Sequence, residues 1–336
     1  MKLEEFDYYL PRELIAQKPI SPRDASRLLI LDRKNKKIFH RYFYEIGDFL
    51  SETDVLVLNN TRVIPARLFG KKITGGKVEI LLLREKSENI WEALLKGKIK
   101  IGEKVFITDK FYFEILAKKI NTWEIRPNLK KRIFLKKLKQ FGRAPTPPYI
   151  KRLSNLKEYQ TIYARYPGSV AAPTAGFHFT KKLIKTLKRK GVKFEFITLH
   201  VNLGTFQPVR VENVEEHRMD PEWAEIKSRT AYRLNRFKKE GLRIIAVGTT
   251  SCRTLEAFAD KNHLLQPGQK EIDLFIYPGY QFKFTDALIT NFHLPRSTPL
   301  LLVSALAGRD LIFKAYQEAI KRKYRFYSFG DAMLIL

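Results

Sequence analysis

The sequence has a single cysteine, Cys252, among its 336 residues. One thiol excludes an intramolecular disulfide and any zinc site built from paired cysteines, and it favours a reducing compartment. The N-terminus has no apolar core of the kind that signal peptides carry. The longest apolar run near the C-terminus, residues 299–307, is about half as long as a membrane span. We therefore expect a cytoplasmic protein with no membrane partner.

The common nucleotide-binding and metal-binding motifs are also missing. There is no G-x-x-x-x-G-K-[ST] phosphate loop and no G-x-G-x-x-G fingerprint, which argues against nucleoside triphosphates and dinucleotides as ligands. No His-x-x-x-His or Cys-x-x-Cys pair is present, so we expect no metal. Neither Ser169 nor Ser251 lies in a G-x-S-x-G elbow. Cys252 follows a predicted strand and is interpreted as a buried thiol that packs under a helix.

Acidic residues are few relative to basic ones. The chain has 35 Asp and Glu against 63 Lys and Arg, a net charge of +28. This excess indicates a polyanionic partner, most simply a nucleic acid, although genome composition or growth temperature can also produce a Lys-rich surface. Clustering favours the nucleic acid, because twelve Lys or Arg and one acidic residue lie between Lys118 and Arg152. Aromatic residues interleave with this cluster and offer stacking surfaces for bases: Trp123, Phe134, Phe141 and Tyr149.

The pattern of apolar, polar and turn-forming residues changes along the chain. Short apolar runs at residues 27–32 and 54–59 predict buried strands. Between about residues 66 and 141, short β-type segments alternate with Gly and Asn turns, which is typical of a small β-barrel or sandwich. The prolines of residues 142–148 end this region. Helices and strands alternate from residue 180 onwards.

This change of residue pattern and the chain length together predict two domains. We predict a main α/β domain with a mixed sheet, formed by residues 1–62 and 149–336. Residues 63–148 are predicted to form a small antiparallel β-barrel domain inserted into it.

Small residues dominate residues 168–180, where His178 lies between Phe177 and Phe179. Small side chains let a backbone approach a ligand closely, and Thr180 is predicted to cap the basic helix that follows. The same pattern is typical of a tightly packed turn with His178 as a hydrogen-bonded core histidine. Taken alone, the segment fits the second interpretation better.

Polar segments follow the predicted strands, at the place where α/β sheets bind ligands. Residues 200–208 follow one strand, residues 249–251 follow another, and residues 290–297 precede a helix with Pro299 in its first turn. Four of the six histidines lie in such segments: His178, His200, His217 and His293. Each fits a structural role better than a catalytic one, but four in similar settings indicate a site. These features predict an RNA-binding enzyme and go no further.

Several long stretches resemble the S-adenosylmethionine:tRNA ribosyltransferase-isomerase family of queuosine biosynthesis. They lie in order along nearly the whole chain, at residues 6–11, 14–17, 59–70, 159–163, 168–180, 200–209, 246–251, 275–279, 288–295 and 324–333. The resemblance implies an enzyme that transfers and isomerises the ribosyl part of S-adenosylmethionine onto 7-aminomethyl-7-deazaguanine at the wobble position of a tRNA with a GUN anticodon. The products would be epoxyqueuosine-tRNA, adenine and methionine. It also implies an α/β domain that carries an inserted β-barrel.

This sequence departs from the family pattern after His217. The family usually has Met, a second His and, one residue further on, Glu, whereas this chain has Met219, Asp220, Pro221 and Glu222. No role therefore carries over for the second histidine. Asn202 stands where glycine is common, and Cys252 stands where the family does not require cysteine.

The implied chemistry needs a base for the acidified C5′ hydrogens beside the sulfonium and an acid for the departing adenine. We expect them among His178, His200, His217 and His293, with Glu216 and Asp220 as carboxylate alternatives. S-adenosylmethionine is expected as a substrate, with no further cofactor and no metal. The expected aromatic faces for the sulfonium are Phe177, Phe179, Phe206 and Phe292.

Arg253 is expected to hold the methionine carboxylate. The predicted substrate-binding residues are Thr174, Gly176, Phe177, Phe179, Asn202, Thr205, Phe206, Thr249, Thr250, Ser251, Arg253, Asn291 and Phe292. The predicted tRNA-binding residues are Arg62, Lys130, Lys131, Arg132, Lys136, Lys137, Arg143, Lys181 and Lys182.

We expect the protein to act as a monomer on tRNA and S-adenosylmethionine. Two other classes stay open from the sequence. A methyltransferase that uses S-adenosylmethionine would give S-adenosylhomocysteine. A non-catalytic RNA-binding protein would give no small-molecule product.

Overall fold

A computed structural model describes residues 1–152, 155–202 and 209–336. Backbone contacts divide the chain into two compact units. We call the first the sheet unit, which comprises Met1–Thr61, Gln160–Tyr166 and Ala172–Leu336, and the second the barrel unit, which comprises Arg62–Tyr159 and Pro167–Ala171. The predicted domain boundaries after residues 62 and 148 stay a prediction.

The described residues contain seventeen strands and six α-helices. In chain order, the strands are Arg27–Asp32 (β1), Lys37–Tyr42 (β2), Asp54–Asn59 (β3), Thr61–Val63 (β4), Arg67–Lys72 (β5), Lys77–Ser87 (β6), Ile90–Lys96 (β7), Lys104–Thr108 (β8), Phe111–Lys118 (β9), Trp123–Pro127 (β10), Tyr166–Ser169 (β11), Lys193–Leu199 (β12), Glu222–Ile226 (β13), Arg243–Val247 (β14), Gly268–Ile272 (β15), Ala287–Asn291 (β16) and Ala332–Ile335 (β17). The helices are Lys131–Phe141 (α1), Lys181–Arg189 (α2), Ser228–Lys239 (α3), Thr249–Phe258 (α4), Thr298–Ala307 (α5) and Arg309–Lys321 (α6).

A nine-stranded mixed sheet forms the centre of the sheet unit, in the order β15-β13-β12-β3-β14-β16-β17-β1-β2. β12, β3, β14 and β16 are mutually parallel neighbours, whereas β17 runs antiparallel to β16. The central strands are apolar along most of their length because the sheet is covered on both faces, and every residue of β3 and β16 is buried. The predicted α/β fold with a mixed sheet is confirmed.

One face of this sheet packs on the segment that leads into α2. Phe179, Leu183 and Leu187 belong to the same buried cluster as Leu58 of β3 and Ile245 of β14. Leu183 and Leu187 are four residues apart and so lie on one face of the helix. The predicted cap of this helix is confirmed, since the Leu183 N–H donates to Thr180 Oγ1 at 3.1 Å. The start of α5 after Ser297, with Pro299 in its first turn, is confirmed as well.

The barrel unit closes six antiparallel strands into a barrel, in the order β10-β7-β6-β5-β8-β9. Alternation places one side of each strand inside, as with the buried Phe111, Phe113 and Ile115 of β9. The prediction of an inserted antiparallel barrel is confirmed. β5 was not predicted, because its sequence contains a glycine and three charged residues and shows little strand character.

Helix α1 was not predicted either, since the density of positive charge obscured an apolar pair at helical spacing. Phe134 and Leu138 are buried, and the Phe134 ring packs against Trp91, Phe111 and Phe113 at centroid distances of 5.6–6.0 Å. The prediction that Phe134 offers a stacking surface for bases is therefore wrong. Its ring anchors α1 to the barrel interior instead.

Two short strands, β4 and β11, pair with each other. No α-helix within the described ranges is long and apolar enough to cross a membrane.

Candidate functional site

The parallel strands of the sheet unit bring their carboxyl ends to one edge, which we call the site edge. Asn59 ends β3, His200 follows β12, Thr249 follows β14 and Asn291 ends β16. The register Asn291↔Ala332 and Leu28↔Ala332 brings the amino ends of β17 and β1 to this edge too. Polar side chains at the carboxyl ends of such strands commonly form ligand sites. The site edge therefore collects most of the segments in which we predicted the site.

A chain of hydrogen bonds runs through His178 at the site edge. The His178 Nδ1 lies 2.7 Å from Ser26 Oγ, and its Nε2 lies 3.1 Å from the Asn291 side-chain nitrogen. The Asn291 Oδ1 in turn accepts a hydrogen bond of 2.9 Å from Thr174 Oγ1. An amide nitrogen can only donate, so Nε2 is the acceptor and Nδ1–H donates to Ser26. His178 is thus held as one neutral tautomer.

Burial supports this protonation state. The His178 side chain is only 4% exposed, and desolvation, with smaller contributions from Arg23 and Arg325, lowers its pKa to about 3. Both ring nitrogens already have hydrogen-bond partners, Ser26 and Asn291. This is the hydrogen-bonded core histidine of our second interpretation, located at the predicted ligand site. A catalytic role of His178 stays a prediction.

The turn that carries His178 is packed closely on both sides. Residues Thr174–His178 form a short 3₁₀ helix. A Cβ on Gly176 would lie 1.9 Å from the Tyr163 hydroxyl, and a Cβ on Gly248, whose φ is +90°, would lie 3.5 Å from Ala175 Cβ. Glycine at 176 is therefore required by the tyrosine, and the turn lies against the start of α4.

His200 lies at the end of β12, stacked on Trp223 at a centroid distance of 4.8 Å. Its Nδ1 is 2.8 Å from Thr61 Oγ1, and desolvation lowers its pKa to about 4. Its other ring nitrogen, Nε2, has no hydrogen-bond partner among the described residues. His200 can therefore present one ring nitrogen to a ligand.

Arg253 in α4 is buried and paired with Glu222 of β13. The Arg253 Nη1 donates to Glu222 Oε2, and its Nε donates to the Leu274 carbonyl at 2.9 Å. The other oxygen of Glu222 accepts the backbone N–H of Asn202 at 2.8 Å. Glu222 thus joins the segment after β12 to α4. The third nitrogen, Arg253 Nη2, is buried without a partner in the described part of the chain.

A small cavity of about 10 Å³ lies beside Arg253. Its lining includes Arg253, Thr249, Phe275 and Met219. A volume of this size has room for one water molecule at most. The unpaired guanidinium nitrogen of Arg253 suits a carboxylate.

His217 contacts Phe275, which lines this cavity. Its imidazole meets Phe275 edge-on at a centroid distance of 4.9 Å. Desolvation lowers its pKa, an effect that Asp220 partly opposes. The two carboxylate alternatives are exposed, and Glu216 accepts a hydrogen bond of 2.8 Å from the Asn213 side chain.

His293 faces away from His178. Its Nε2 bonds Thr290 Oγ1 at 2.9 Å, and its backbone N–H donates to the Tyr316 hydroxyl at 3.0 Å. Since Thr290 and Asn291 are adjacent in a strand, their side chains point to opposite faces of the sheet. Desolvation lowers the pKa of His293 to about 3. The structure therefore places this histidine and His178 on opposite faces of β16.

The expected aromatic faces are largely covered. Phe179 and Phe292 are fully buried, the latter among Tyr316, Tyr324 and Phe326. Phe177 stacks on Phe329, and the Arg23 guanidinium lies 5.0 Å from its ring centroid. That these three rings contact the sulfonium stays a prediction.

Thr250 and Ser251, near the start of α4, have different hydrogen-bond partners. Thr250 Oγ1 accepts a long hydrogen bond of 3.4 Å from Asn59, whereas Ser251 Oγ donates to the Val247 carbonyl within its own chain segment. Cys252 is buried, as predicted, and burial raises the pKa of its thiol. Two further predicted contacts, Thr205 and Phe206, lie outside the described residues.

Most of the predicted tRNA-binding residues belong to the barrel unit. That unit carries 25 Lys or Arg and nine Asp or Glu. Its net charge is therefore more than half of the net charge of +28 that the whole chain carries. The exposed ones in this unit are Arg62, Lys130, Lys131, Arg132, Lys136 and Arg143, while Lys137 is half-buried. Lys181 and Lys182 are exposed on α2 of the sheet unit. Lys131 forms an ion pair of 2.8 Å with Glu85, which reduces its availability to a phosphate.

Sequence reasoning missed Glu222, Phe275 and Ser26. Phe275 begins one of the stretches that carried the family resemblance, and Glu222 ends the segment after His217 that was compared with the family pattern, so the sequence contained a signal for both. Ser26 had no signal, because only the register of β1 beside β17 brings it to His178.

Comparisons with known proteins agree with one another along the whole chain. The sequence profile of the family described as "Queuosine biosynthesis protein" matches residues 3–335. The chain is 52% identical to an S-adenosylmethionine:tRNA ribosyltransferase-isomerase of Thermosipho melanesiensis and 51% identical to one of Thermotoga maritima, each over 100% of both chains. The crystal structure of an S-adenosylmethionine tRNA ribosyltransferase from Thermotoga maritima matches with a TM-score of 0.59 and 40% identity, over 99% of this chain and 100% of that one.

Proposed function

The chain belongs to the queuosine biosynthesis family of S-adenosylmethionine:tRNA ribosyltransferase-isomerases, and on this premise we propose the reaction that it catalyses. The ribosyl part of S-adenosylmethionine is transferred to 7-aminomethyl-7-deazaguanine at the wobble position of a tRNA with a GUN anticodon, and it is isomerised in the process. The products are epoxyqueuosine-tRNA, adenine and methionine. S-adenosylmethionine is a substrate, and the enzyme works as a cytoplasmic monomer without a further cofactor.

The observation that carries this proposal is the convergence of His178, His200, Thr249 and Asn291 at the site edge of the sheet unit. S-adenosylmethionine has no phosphate, which agrees with a site built from hydroxyl, amide and imidazole groups. Its sulfonium acidifies the neighbouring C5′ hydrogens, so a positioned base can begin the rearrangement.

His200 and His217 are the best candidates for proton transfer. Both are partly exposed, and His200 keeps Nε2 without a partner among the described residues. Neutral imidazole is the form that accepts a proton, and the lowered pKa of each favours it. His178 acts indirectly. It holds Asn291 by a hydrogen bond, and Asn291 in turn accepts a hydrogen bond from Thr174. His293 supports β16 from the other face.

Arg253 is proposed to bind the methionine carboxylate through Nη2. Its other two nitrogens are fixed by Glu222 and the Leu274 carbonyl, so the guanidinium is held in one orientation before the ligand arrives. Because a carboxylate would satisfy a nitrogen that is otherwise buried without a partner in the described ranges, binding removes a desolvation penalty.

The barrel unit is proposed to bind tRNA through the exposed basic face of α1. The wobble base has to leave its stack to react, at an unstacking cost of a few kcal/mol that is smaller in a loop than in a duplex. Phosphate contacts make such binding depend steeply on salt, by roughly 0.9 log units of affinity per log unit of salt for each neutralised phosphate, or somewhat less on single strands.

Product analysis tests the proposed reaction. The enzyme is incubated with S-adenosylmethionine and tRNA that carries 7-aminomethyl-7-deazaguanine, and both small molecules and tRNA are examined by mass spectrometry. Free adenine and methionine with a heavier tRNA are expected. S-adenosylhomocysteine would indicate a methyltransferase instead, and binding without any product would indicate a non-catalytic RNA-binding protein.

Charge reversal tests the proposed tRNA surface. Lys136→Glu with Lys139→Glu, both exposed on α1, should weaken tRNA binding and lower its salt dependence. Arg236→Glu with Lys239→Glu changes charge equally on α3 of the sheet unit and serves as the control. If the α1 pair left the affinity unchanged, the binding surface would have to lie elsewhere.

A further inference from the structure

The outer wall of the barrel unit contains a groove that the proposed reaction does not use. We call it the barrel groove, and its volume is about 810 Å³. Clefts that bind small molecules commonly measure about 300–1,000 Å³, so a nucleotide fits a space of this size. Its walls come from β5, β6, the end of β7 and β8.

The sheet register explains how these strands build the groove. Phe69 of β5 pairs with Glu79 of β6, and Glu79 pairs with Lys96 of β7. One row further along, Lys71 of β5 pairs with Lys77 on one side and with Phe106 of β8 on the other. Residues two apart on a strand share a face, and the neighbours of Phe69 on β5 and Glu79 on β6 point inward as Leu68 and Val78. The two rows therefore lie side by side on the outer wall.

An aromatic ring lies open at the centre of this wall. Phe69 is 50% exposed, although burial of a phenylalanine is usually favourable. No aromatic partner is recorded for it among the described ring pairs, whereas Phe106 packs on Tyr112 at 5.2 Å. The Phe69 ring is thus available to a planar ligand from outside.

The charges around the ring are mainly positive. Lys71, Lys77 and Lys96 line the groove and are exposed. Of the two acidic residues in the lining, Glu79 is paired with Arg67 at 3.3 Å and Asp109 is exposed at one end. Lysines beside an open aromatic ring match the chemistry of a single-stranded nucleic acid, which offers a flat base and a phosphate at each step.

We propose that the barrel groove binds an unpaired nucleotide of the RNA substrate, with its base stacked on Phe69 and the flanking phosphates near Lys71, Lys77 and Lys96. This inference rests on the proposed function only in taking RNA as the macromolecular partner. The groove adds a contact distant in sequence from the α1 surface, and the contact does not depend on base identity because every base has a π-face.

Binding of a fluorescein-labelled oligouridylate, followed by anisotropy, tests the groove directly. Phe69→Ser should weaken binding by about 5- to 150-fold, which is the effect of losing one base–aromatic stack. Phe69→Tyr keeps a ring and should bind like wild type. Phe69→Leu keeps apolar bulk without a π-face and should bind weakly, which separates stacking from simple hydrophobic contact.

Ile120→Ser is the matched control, because Ile120 is 95% exposed on the same unit and lies outside the groove. It should bind oligouridylate like wild type. Replacing Lys71, Lys77 and Lys96 together by alanine should lower the salt dependence of binding. Circular dichroism checks that each variant is folded.

Equal affinity for Phe69→Leu, Phe69→Ser and wild type would overturn the proposal, as would an unchanged salt dependence in the triple lysine variant. Adenine release by wild type is measured in parallel with modified tRNA. A wild type that binds oligouridylate through Phe69 but releases no adenine would contradict the proposed reaction and support the groove.

Discussion

Acid should destabilise the protein through His178, and the structure sets the size of the effect. The pKa of His178 is about 3 in the folded protein, against about 6.5 for an unperturbed histidine. Between these two pH values the unfolded chain binds a proton that the folded protein does not. The free energy of unfolding therefore falls as pH falls below 6.5, by about 1.4 kcal/mol per pH unit. Above pH 6.5 the side chain is neutral in both states and adds nothing to the slope.

The test compares wild type with His178→Gln by urea unfolding, followed by circular dichroism, at several pH values from 7.5 to 4.5. At pH 7.5 the variant should be less stable, because it cannot reproduce both hydrogen bonds of the imidazole. The difference should shrink on acidification, by about 3 kcal/mol at pH 4.5, because only wild type must exclude the proton.

His263→Gln is the control for this experiment, since His263 is exposed. Its difference from wild type measures how far the loss of an exposed histidine alone changes the pH dependence of stability. If the difference in unfolding free energy between wild type and His178→Gln did not change with pH, His178 could not be neutral with both ring nitrogens hydrogen-bonded. Its role in orienting Asn291 would then be refuted as well.

Three further predictions concern residues around the site. Glu222→Ala leaves the Arg253 charge buried without its partner, so urea unfolding should show a loss of about 3–5 kcal/mol, and the isosteric Glu222→Gln should lose less. Gly176→Ala places a Cβ 1.9 Å from the Tyr163 hydroxyl and should cost about 1–3 kcal/mol, of which Tyr163→Phe in the same chain should restore only a part, because Thr161 Cγ2 at 2.8 Å and Tyr163 Cζ at 2.9 Å stay close; equal effects in both backgrounds would contradict the hydroxyl contact. Thr180→Ala removes the cap of α2 and should cost about 1 kcal/mol in thermal or urea unfolding, whereas no loss would show that the cap is dispensable.

Strands β1, β3, β12 and β14 of the sheet unit could be predicted from the sequence, because the signal for each lies within its own residues. β3 and β14 are short apolar runs followed by polar residues, and that pattern predicts a buried strand with a ligand edge. Helix α1 and strand β5 could not be predicted in the same way. Their apolar residues are outnumbered by Lys and Arg, and their burial depends on contacts with distant barrel strands.

The candidate site also contains some residues that could be predicted from the sequence and others that could not. Sequence reasoning selected His178, Thr174 and Asn291, which the structure joins in one hydrogen-bonded chain. It did not anticipate that His293 lies on the opposite face, because the alternation of Thr290 and Asn291 matters only once β16 is known to be a strand. Glu222 was overlooked because its importance comes from a pairing with Arg253, 31 residues later in the chain.

In the proposed reaction, the ribosyl carbons of S-adenosylmethionine become part of the tRNA. The direct measurement uses S-adenosylmethionine labelled with ¹³C in the ribose alone, incubated with tRNA that carries 7-aminomethyl-7-deazaguanine. All five labelled carbons should appear in the modified nucleoside, while the released adenine and methionine should stay unlabelled. Label that remains with a released nucleoside, such as S-adenosylhomocysteine, while the tRNA gains none, would contradict the proposed reaction.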